Sequence, residues 1–135
     1  MGARKRLAAE ARKEDNKSLF IAKLNNCPSS PRKMRLVADL VRGQKIENAI
    51  NILKFNAKEA SVGLEKLILS AIANWQAKNE GGRIEEANLI VKDIFVGGGR
   101  QLKRLRPAPQ GRGYRIRKRS NHVTVILDSA VVTNN

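Results

Sequence analysis

Apolar residues recur at helical spacing in three consecutive segments, and the first of them carries signals for both of its ends. Ser30 is a candidate N-cap, and Pro31 suits the first helical position, where its missing N–H costs no hydrogen bond. The apolar stripe that follows consists of Met34, Val37, Ala38 and Val41. Gly43 suits the C-terminal cap. The pattern therefore predicts a helix between Ser30 and Gly43.

Two more helices are predicted after this one. The second is expected over about 45–55, on the stripe Ile46, Ala49, Ile50 and Leu53. Asn56 and Glu59 have the spacing of a capping box, which would open a longer third helix that Gly81 and Gly82 end. The stripe of that helix, in which Trp75 is expected to pack in the core, is Ala60, Leu64, Leu67, Ile68, Ala71, Ile72 and Trp75.

Three strands are predicted around these helices. A short one covers about 19–25, and two long ones cover about 87–100 and 113–127. The two long segments would pair as an antiparallel hairpin up to about 50 Å long, with Lys92 near Thr124. Residues that exclude a helix lie around the turn, namely Pro107, Pro109, Gly111 and Gly113. The predicted fold class is α+β, with three helices packed on a small three-stranded antiparallel sheet and a long protruding basic hairpin.

One face of the second long strand changes character along its length. Alternate residues of a strand share a face. Along this face three arginines are followed by an asparagine and then by three apolar residues: Arg115, Arg117, Arg119, Asn121, Val123, Val125 and Leu127. The strand is therefore expected to leave the core and enter a polyanion.

The charge distribution supports this division into a core and a basic projection. The 135 residues carry 27 Lys and Arg against 12 Asp and Glu, a net charge of +15. Residues 18–96 hold 26 of the 36 Leu, Ile, Val and Phe, whereas 97–119 hold three of them and nine basic residues. No acidic residue lies between Asp93 and Asp128. Such a charge points to nucleic acid, ahead of a membrane surface, as the partner.

The basic residues of this projection are the first candidates for phosphate contact, because an Arg guanidinium can hold two phosphate oxygens at once. Tyr114 lies among them and could stack on a base, whereas His122 is expected to make a structural hydrogen bond. On the first predicted helix, Arg32, Lys33 and Arg35 fit a solvated face and RNA contact equally well. The hairpin candidates are Arg100, Lys103, Arg104, Arg106, Arg112, Arg115, Arg117, Lys118 and Arg119.

Enzyme classes find little support in the sequence. Cys27 and His122 are each the single residue of their type, so neither a cysteine pair nor a two-histidine metal site can form within the chain. The glycine run 97–99 lacks the Lys and Ser/Thr of a phosphate loop. Two rival interpretations remain open at this point, a free regulatory DNA-binding module and a nucleic-acid-processing enzyme.

Residues 1–17 are expected to be a basic extension, either a frayed helix or an extended arm, and not a secretory signal.

Several blocks of sequence resemble the bacterial family of large-subunit ribosomal protein twenty-two, the universal L-twenty-two family. Segment 30–43 is similar to the signature of its first helix. The resemblance covers about residues 19–128, and the other similar blocks are Ala49, Ile52 and Leu53; Ser70–Asn74; Gly111-Arg112; Arg115–Arg119; and His122–Val125.

The resemblance implies a structural, non-enzymatic protein of the cytoplasmic large ribosomal subunit, which binds 23S rRNA, supports assembly and has no cofactor or metal. It implies one domain over 18–128, between the extension 1–17 and a tail 129–135. The hairpin tip would line the peptide exit tunnel near ribosomal protein L-four and the nascent peptide. No membrane partner or homo-oligomer is expected. The residues implied to line the tunnel are Pro107, Ala108, Pro109, Gln110, Gly111 and Arg112.

Overall fold

The computed structural model describes residues 3–79 and 87–129 and has an α+β fold. The predicted helix end at Gly81 and Gly82, and residues 130–135 of the predicted tail, lie outside the described residues. A 3₁₀ turn at Pro109–Gly111 joins the last two strands. In chain order, the helices and strands are α1 (Ala3–Ser18), β1 (Phe20–Cys27), α2 (Pro31–Val41), α3 (Ile46–Phe55), α4 (Ala60–Lys78), β2 (Leu89–Pro107) and β3 (Gly113–Ser129).

The ends of α2 confirm the signals read from the sequence. Ser30 Oγ accepts a hydrogen bond from Lys33 N at 3.4 Å, with Pro31 at the first helical position. Gly43, the second residue after the helix, has φ +76°, a left-handed conformation that glycine adopts without a Cβ penalty. The N-terminal extension forms a helix, α1, so the extended-arm alternative does not hold.

The predicted capping box at the start of α4 is wrong. Asn56 Oδ1 accepts a hydrogen bond from Lys58 N at 3.0 Å, two residues ahead. Glu59 makes no side-chain capping bond, and the helix begins at Ala60. A short Asn side chain reaches the backbone two residues on most easily, so it forms a turn in place of the reciprocal cap.

The core lies between helices α2–α4 and a sheet with strand order β1-β3-β2. The buried residues include most of the predicted stripes; Ile50 is only partly buried. Trp75 is 6% exposed and meets the Phe20 ring edge to face, with centroids 6.4 Å apart, which confirms its core position. Among the described residues, no helix is long and apolar enough to cross a membrane.

The pairing of β2 with β3 differs in register from the prediction. Thr124 pairs with Phe95 and not with Lys92, because the turn centres on Gln110, closer to the C-terminus than the predicted pair requires; the bulge between Gly98 and Gln101 moves the pairing back by only one residue. Lys92 is the extra residue of one bulge, between Val91 and Asp93. Its Nζ donates to Asp128 Oδ2 at 2.7 Å, and this hydrogen bond raises the pKa of Lys92. The strands are also longer than predicted, since β2 runs to Pro107.

Helix α2 is fastened to β2, which is an edge strand of the sheet. Gly43 N donates to Val91 O at 2.8 Å, and Val91 N donates to Gln44 O at 2.9 Å. Further along, Arg42 donates from its guanidinium to Ile94 O at 2.9 Å. These bonds cover backbone groups that an edge strand would otherwise leave unpaired, and they fix the direction in which the hairpin leaves the core.

Candidate RNA interface

The outer part of the hairpin is a two-stranded ribbon with its side chains in solvent. It runs from the pair Gln101–Arg119 to the pair Pro107–Gly113. All residues of β2 from Arg100 to Pro107 are exposed, and on β3 only Ile116, in the interval from Gly113 to Arg119, is partly buried. Its seven residue pairs correspond to about 23 Å of ribbon, the outer part of strands that are 19 and 17 residues long. The ribbon therefore presents its basic side chains to any partner that surrounds it.

Both faces of this ribbon are basic. Directly opposite residues of antiparallel strands lie on the same face, so the register assigns each side chain to one face. One face carries Lys103, Arg115, Arg117 and Arg119, and the other carries Arg104, Arg106 and Lys118. A surface of this kind suits a partner that encloses the ribbon better than one that touches a single side.

The predicted change along β3, from exposed arginines to buried residues, occurs at Asn121. The three arginines before it are exposed, and Asn121, Val123 and Val125 are buried. Asn121 Nδ2 donates to Ser29 O at 2.7 Å and lies 2.9 Å from Ser29 Oγ. This side chain therefore ties the root of the hairpin to the loop that precedes α2.

The second bulge of β2 lies beside this root, between Gly98 and Gln101. A Cβ on Gly99 would lie 2.7 Å from Ser120 Oγ and 3.1 Å from His122 Nε2, so the bulge brings the backbone close to β3. Ser120 Oγ donates to Arg100 O at 2.6 Å. These contacts fix the ribbon where it leaves the core.

His122 has the structural role expected of it. Its Nδ1 accepts a hydrogen bond from Asn26 N at 3.1 Å. Asn26 lies in the irregular part of β1, between Leu24 and Cys27, with φ +55°. The histidine thus satisfies a backbone donor that the interrupted pairing of β1 with β3 leaves over.

A cleft of about 750 Å³ joins the hairpin root to the start of α2 and to the turn before α4. This root cleft contains four predicted residues, Lys33 from one segment and Arg117, Lys118 and Arg119 from another, and it adds Lys58, which the sequence reading missed. Nothing local marks Lys58, since only the folded chain brings it beside β3. The lining residues are Pro28, Ser29, Ser30, Lys33, Leu36, Lys58, Glu59, Ala60, Arg117, Lys118 and Arg119.

The remaining candidates on α2 have different surroundings. Arg32 is exposed on the first turn. Arg35 donates from its guanidinium to Val96 O at 3.1 Å, so part of its hydrogen-bonding capacity serves the attachment of α2 to β2. Lys33 N donates to Ser30 Oγ, and Lys33 is one of the residues that line the root cleft.

The tip is a narrow turn. Ala108 N donates to Arg112 O at 2.8 Å, and both Gln110 and Gly111 adopt left-handed backbone conformations with φ 62° and 68°. Five of its residues, Pro107, Pro109, Gln110, Gly111 and Arg112, are exposed, and Ala108 is half-buried. Tyr114, just inside the turn, is 64% exposed and pairs with Arg106. In the parts of the chain described, no three metal-ligating side chains come together.

Comparison with known proteins shows the family to which this basic α+β protein belongs. The family model described as Ribosomal protein L22p/L17e matches residues 22–128. The chain belongs to this family. Its members are structural proteins of the large ribosomal subunit in the cytoplasm and not enzymes.

Relatives of the L22p/L17e family match nearly the whole chain. A protein of Flavobacterium johnsoniae named "Large ribosomal subunit protein uL22" is 72% identical over 127 residues, which cover 94% of this chain and 93% of the relative. Proteins with the same name in Bacteroides fragilis and Porphyromonas gingivalis are 61% and 60% identical. The first match covers 96% of this chain and 94% of the relative, and the second covers all of both.

Proposed function

We propose that this L22p/L17e protein binds 23S rRNA through the outer hairpin and supports assembly of the large subunit. The observation that carries the proposal is a ribbon with basic side chains on both faces and no acidic residue from 94 to 127. Double-helical RNA offers phosphates and riboses on its surface, so a ribbon enclosed by RNA segments can pair cations with phosphates on each side. Lys33 and Lys58 would extend this contact into the root cleft.

The energetics of such binding come mainly from the release of counterions. If six to nine phosphates are neutralised, the logarithm of affinity should fall with the logarithm of salt concentration with a slope of about −4 to −8. A slope shallower than about −2 would contradict the electrostatic part of the proposal.

Reversing the charge of Arg115, Arg117 and Arg119 to Glu tests the role of the hairpin directly. All three side chains are exposed, so the core should keep its circular dichroism while binding to 23S rRNA and incorporation into the subunit fall. The matched control reverses Lys45, Lys54 and Lys66, which are exposed on or next to α3 and α4 and change the net charge equally. Equal loss in both variants would mean that net charge, and not the hairpin, determines binding.

We further propose that the hairpin tip lines the peptide exit tunnel, beside ribosomal protein L-four and the nascent peptide. The exposed turn 107–112 at the far end of this ribbon supports this, because the seven residue pairs of the ribbon, about 23 Å long, carry its tip away from the core. Deleting 107–111 should leave rRNA binding largely intact and change the cross-links between the tip region and a nascent peptide. Failure of the deleted protein to enter the subunit would show instead that the tip anchors it.

A further inference from the structure

Helix α1 is a regular helix whose described side chains do not pack against the core. Every residue from Ala3 to Asn16 is exposed, and Leu7, its one large apolar residue, is 60% exposed. An isolated helix of this length is only marginally stable in water, and a helix that is polar all round gains nothing from the protein core. The core and its hairpin therefore do not explain why this segment is helical and basic.

The charges on α1 are segregated. At 100° per residue, Lys5, Arg6, Arg12 and Lys13 fall within a band about 120° wide. We name this band the α1 basic face. Ala9 and Asn16 lie near its middle, so small or neutral side chains separate the cations.

The acidic residues of α1 all lie outside the α1 basic face. They are Glu10, Glu14 and Asp15. Arg6 forms an ion pair with Glu10 one turn on, with 3.5 Å between Nε and Oε1, at the border of the face. The face therefore presents cations without an intervening carboxylate, although the helix as a whole mixes both signs.

This distribution favours RNA over the other partners of a basic helix. A helix that lies on a membrane needs a broad apolar face of Leu, Phe or Trp opposite its cations, and α1 offers only Leu7 and alanines there. Docking to a protein groove needs apolar anchors at similar spacing, which are equally missing. Phosphates along an RNA strand require only a row of cations and a small residue that lets the backbone approach closely.

We propose that α1 is a second RNA-binding element, in which the α1 basic face binds the phosphate backbone of large-subunit rRNA separately from the hairpin. The proposal rests on the proposed function for the identity of the RNA. It concerns a segment that lies N-terminal to residues 22–128, the part matched by the family model, and that is included in the full-length match to the Porphyromonas gingivalis relative.

The test permutes charges within α1 in the full chain. The scrambled variant carries Arg12→Asp, Lys13→Glu, Glu14→Lys and Asp15→Arg, which keep composition and net charge, place two carboxylates within the face and build no new row of cations beside Arg6. The control carries Arg4→Glu and Glu14→Arg, which exchange charges only between positions outside the face. Circular dichroism checks that both variants keep their helix, and binding to protein-free 23S rRNA is measured over a range of salt concentrations.

The scrambled variant is expected to bind about tenfold more weakly at physiological salt, with a salt slope shallower by about 2, while the control binds like the wild type. Unchanged binding of the scrambled variant, with binding of the hairpin triple variant reduced, would overturn the role of α1 and leave the proposed function standing. A wild-type protein that does not bind 23S rRNA would overturn both. If the scrambled variant lost binding to vesicles of anionic phospholipid and kept its binding to 23S rRNA, the face would be a membrane contact and the proposal would be refuted.

Discussion

Lys103 and Arg117 lie directly opposite each other on neighbouring strands of the outer hairpin, with both side chains exposed. Like charges in this position destabilise a sheet. In the other pairs of the outer hairpin, a basic residue faces a neutral one or both residues are neutral, as in Leu105–Arg115 and Arg104–Ile116. The ribbon thus keeps one repulsive pair, which a bound phosphate between the two cations would turn into an attraction.

Neutralising Lys103 should stabilise the free protein and weaken RNA binding at the same time. For Lys103→Gln we expect the free energy of unfolding to rise by about 0.2–1 kcal/mol, since the opposing cation is relieved. Chemical denaturation and 23S rRNA binding measure the two effects. The matched variant Lys118→Gln removes the same charge opposite neutral Leu102, so it should lose affinity without gaining stability. A stability gain of the same size in both variants would refute the pairwise repulsion.

Gly99 should tolerate no side chain, although it lies in a run of three glycines. In Gly99→Ala the new Cβ meets Ser120 Oγ at 2.7 Å, and this hydroxyl cannot move without losing its hydrogen bond to Arg100 O. We expect a loss of about 1–3 kcal/mol of stability, as for other overpacked sites. The neighbouring Gly98→Ala meets nothing within 4 Å and should be neutral or slightly stabilising. Thermal unfolding compares the two variants. A lower unfolding temperature in Gly99→Ala alone would identify the contact with Ser120 as the cause, and a drop in both would indicate a general preference for glycine.

The helices and the hairpin could be predicted because their signals are local. The stripe of α2, its Ser30 cap and the change of character at Asn121 depend only on spacing along the chain. The register could not be predicted in this way. It depends on the turn centring on Gln110 and on a bulge at Gly99, and neither follows from periodicity.

In the candidate interface too, some residues could be predicted from the sequence and others could not. The basic residues of the hairpin could be found from sequence because they are dense and have no acidic neighbours. Lys58 could not, since its place in the root cleft arises from a turn about 60 residues away along the chain from Arg117. Likewise, only the structure shows that Arg35 donates to Val96 O, a contact that competes with its availability to RNA.

Removing the Asn121 side chain should loosen the hairpin root. Asn121→Ala loses the contacts of Nδ2 with Ser29 O and Ser29 Oγ, and we expect about 1–3 kcal/mol of destabilisation because Ser29 O is left without this donor. Ser29→Ala removes the hydroxyl, with its contacts to Asn121 Nδ2 and Cys27 Sγ, and keeps the stronger contact of Ser29 O, so it should cost about 1 kcal/mol or less. Hydrogen exchange at the amides of residues 119–123 reports the loosening. Equal protection in the wild type and Asn121→Ala would show that the core holds the root without this side chain.

Arg35 in α2 and Arg42 directly after it are expected to have structural roles. Arg42 donates to Ile94 O at 2.9 Å and to Asp39 Oδ1 at 2.5 Å, and Arg35 donates to Val96 O at 3.1 Å. Each contact attaches α2 to β2 or orders the guanidinium that does so. We therefore expect Arg42→Ala to cost about 1–2 kcal/mol of stability and Arg35→Ala, whose contact is more exposed, about 0.5–1 kcal/mol.

Lys33 provides the matched comparison, because it lines the root cleft and its backbone N, not its side chain, donates to Ser30 Oγ. Lys33→Ala should leave the unfolding temperature unchanged and weaken 23S rRNA binding, with a salt slope shallower by about 0.7–0.9. Arg42→Ala should lower the unfolding temperature and leave the salt slope unchanged, since its contacts are internal. If Lys33→Ala destabilised the free protein as much as Arg42→Ala, or left RNA binding intact, the root cleft would be part of the scaffold and not of the RNA interface.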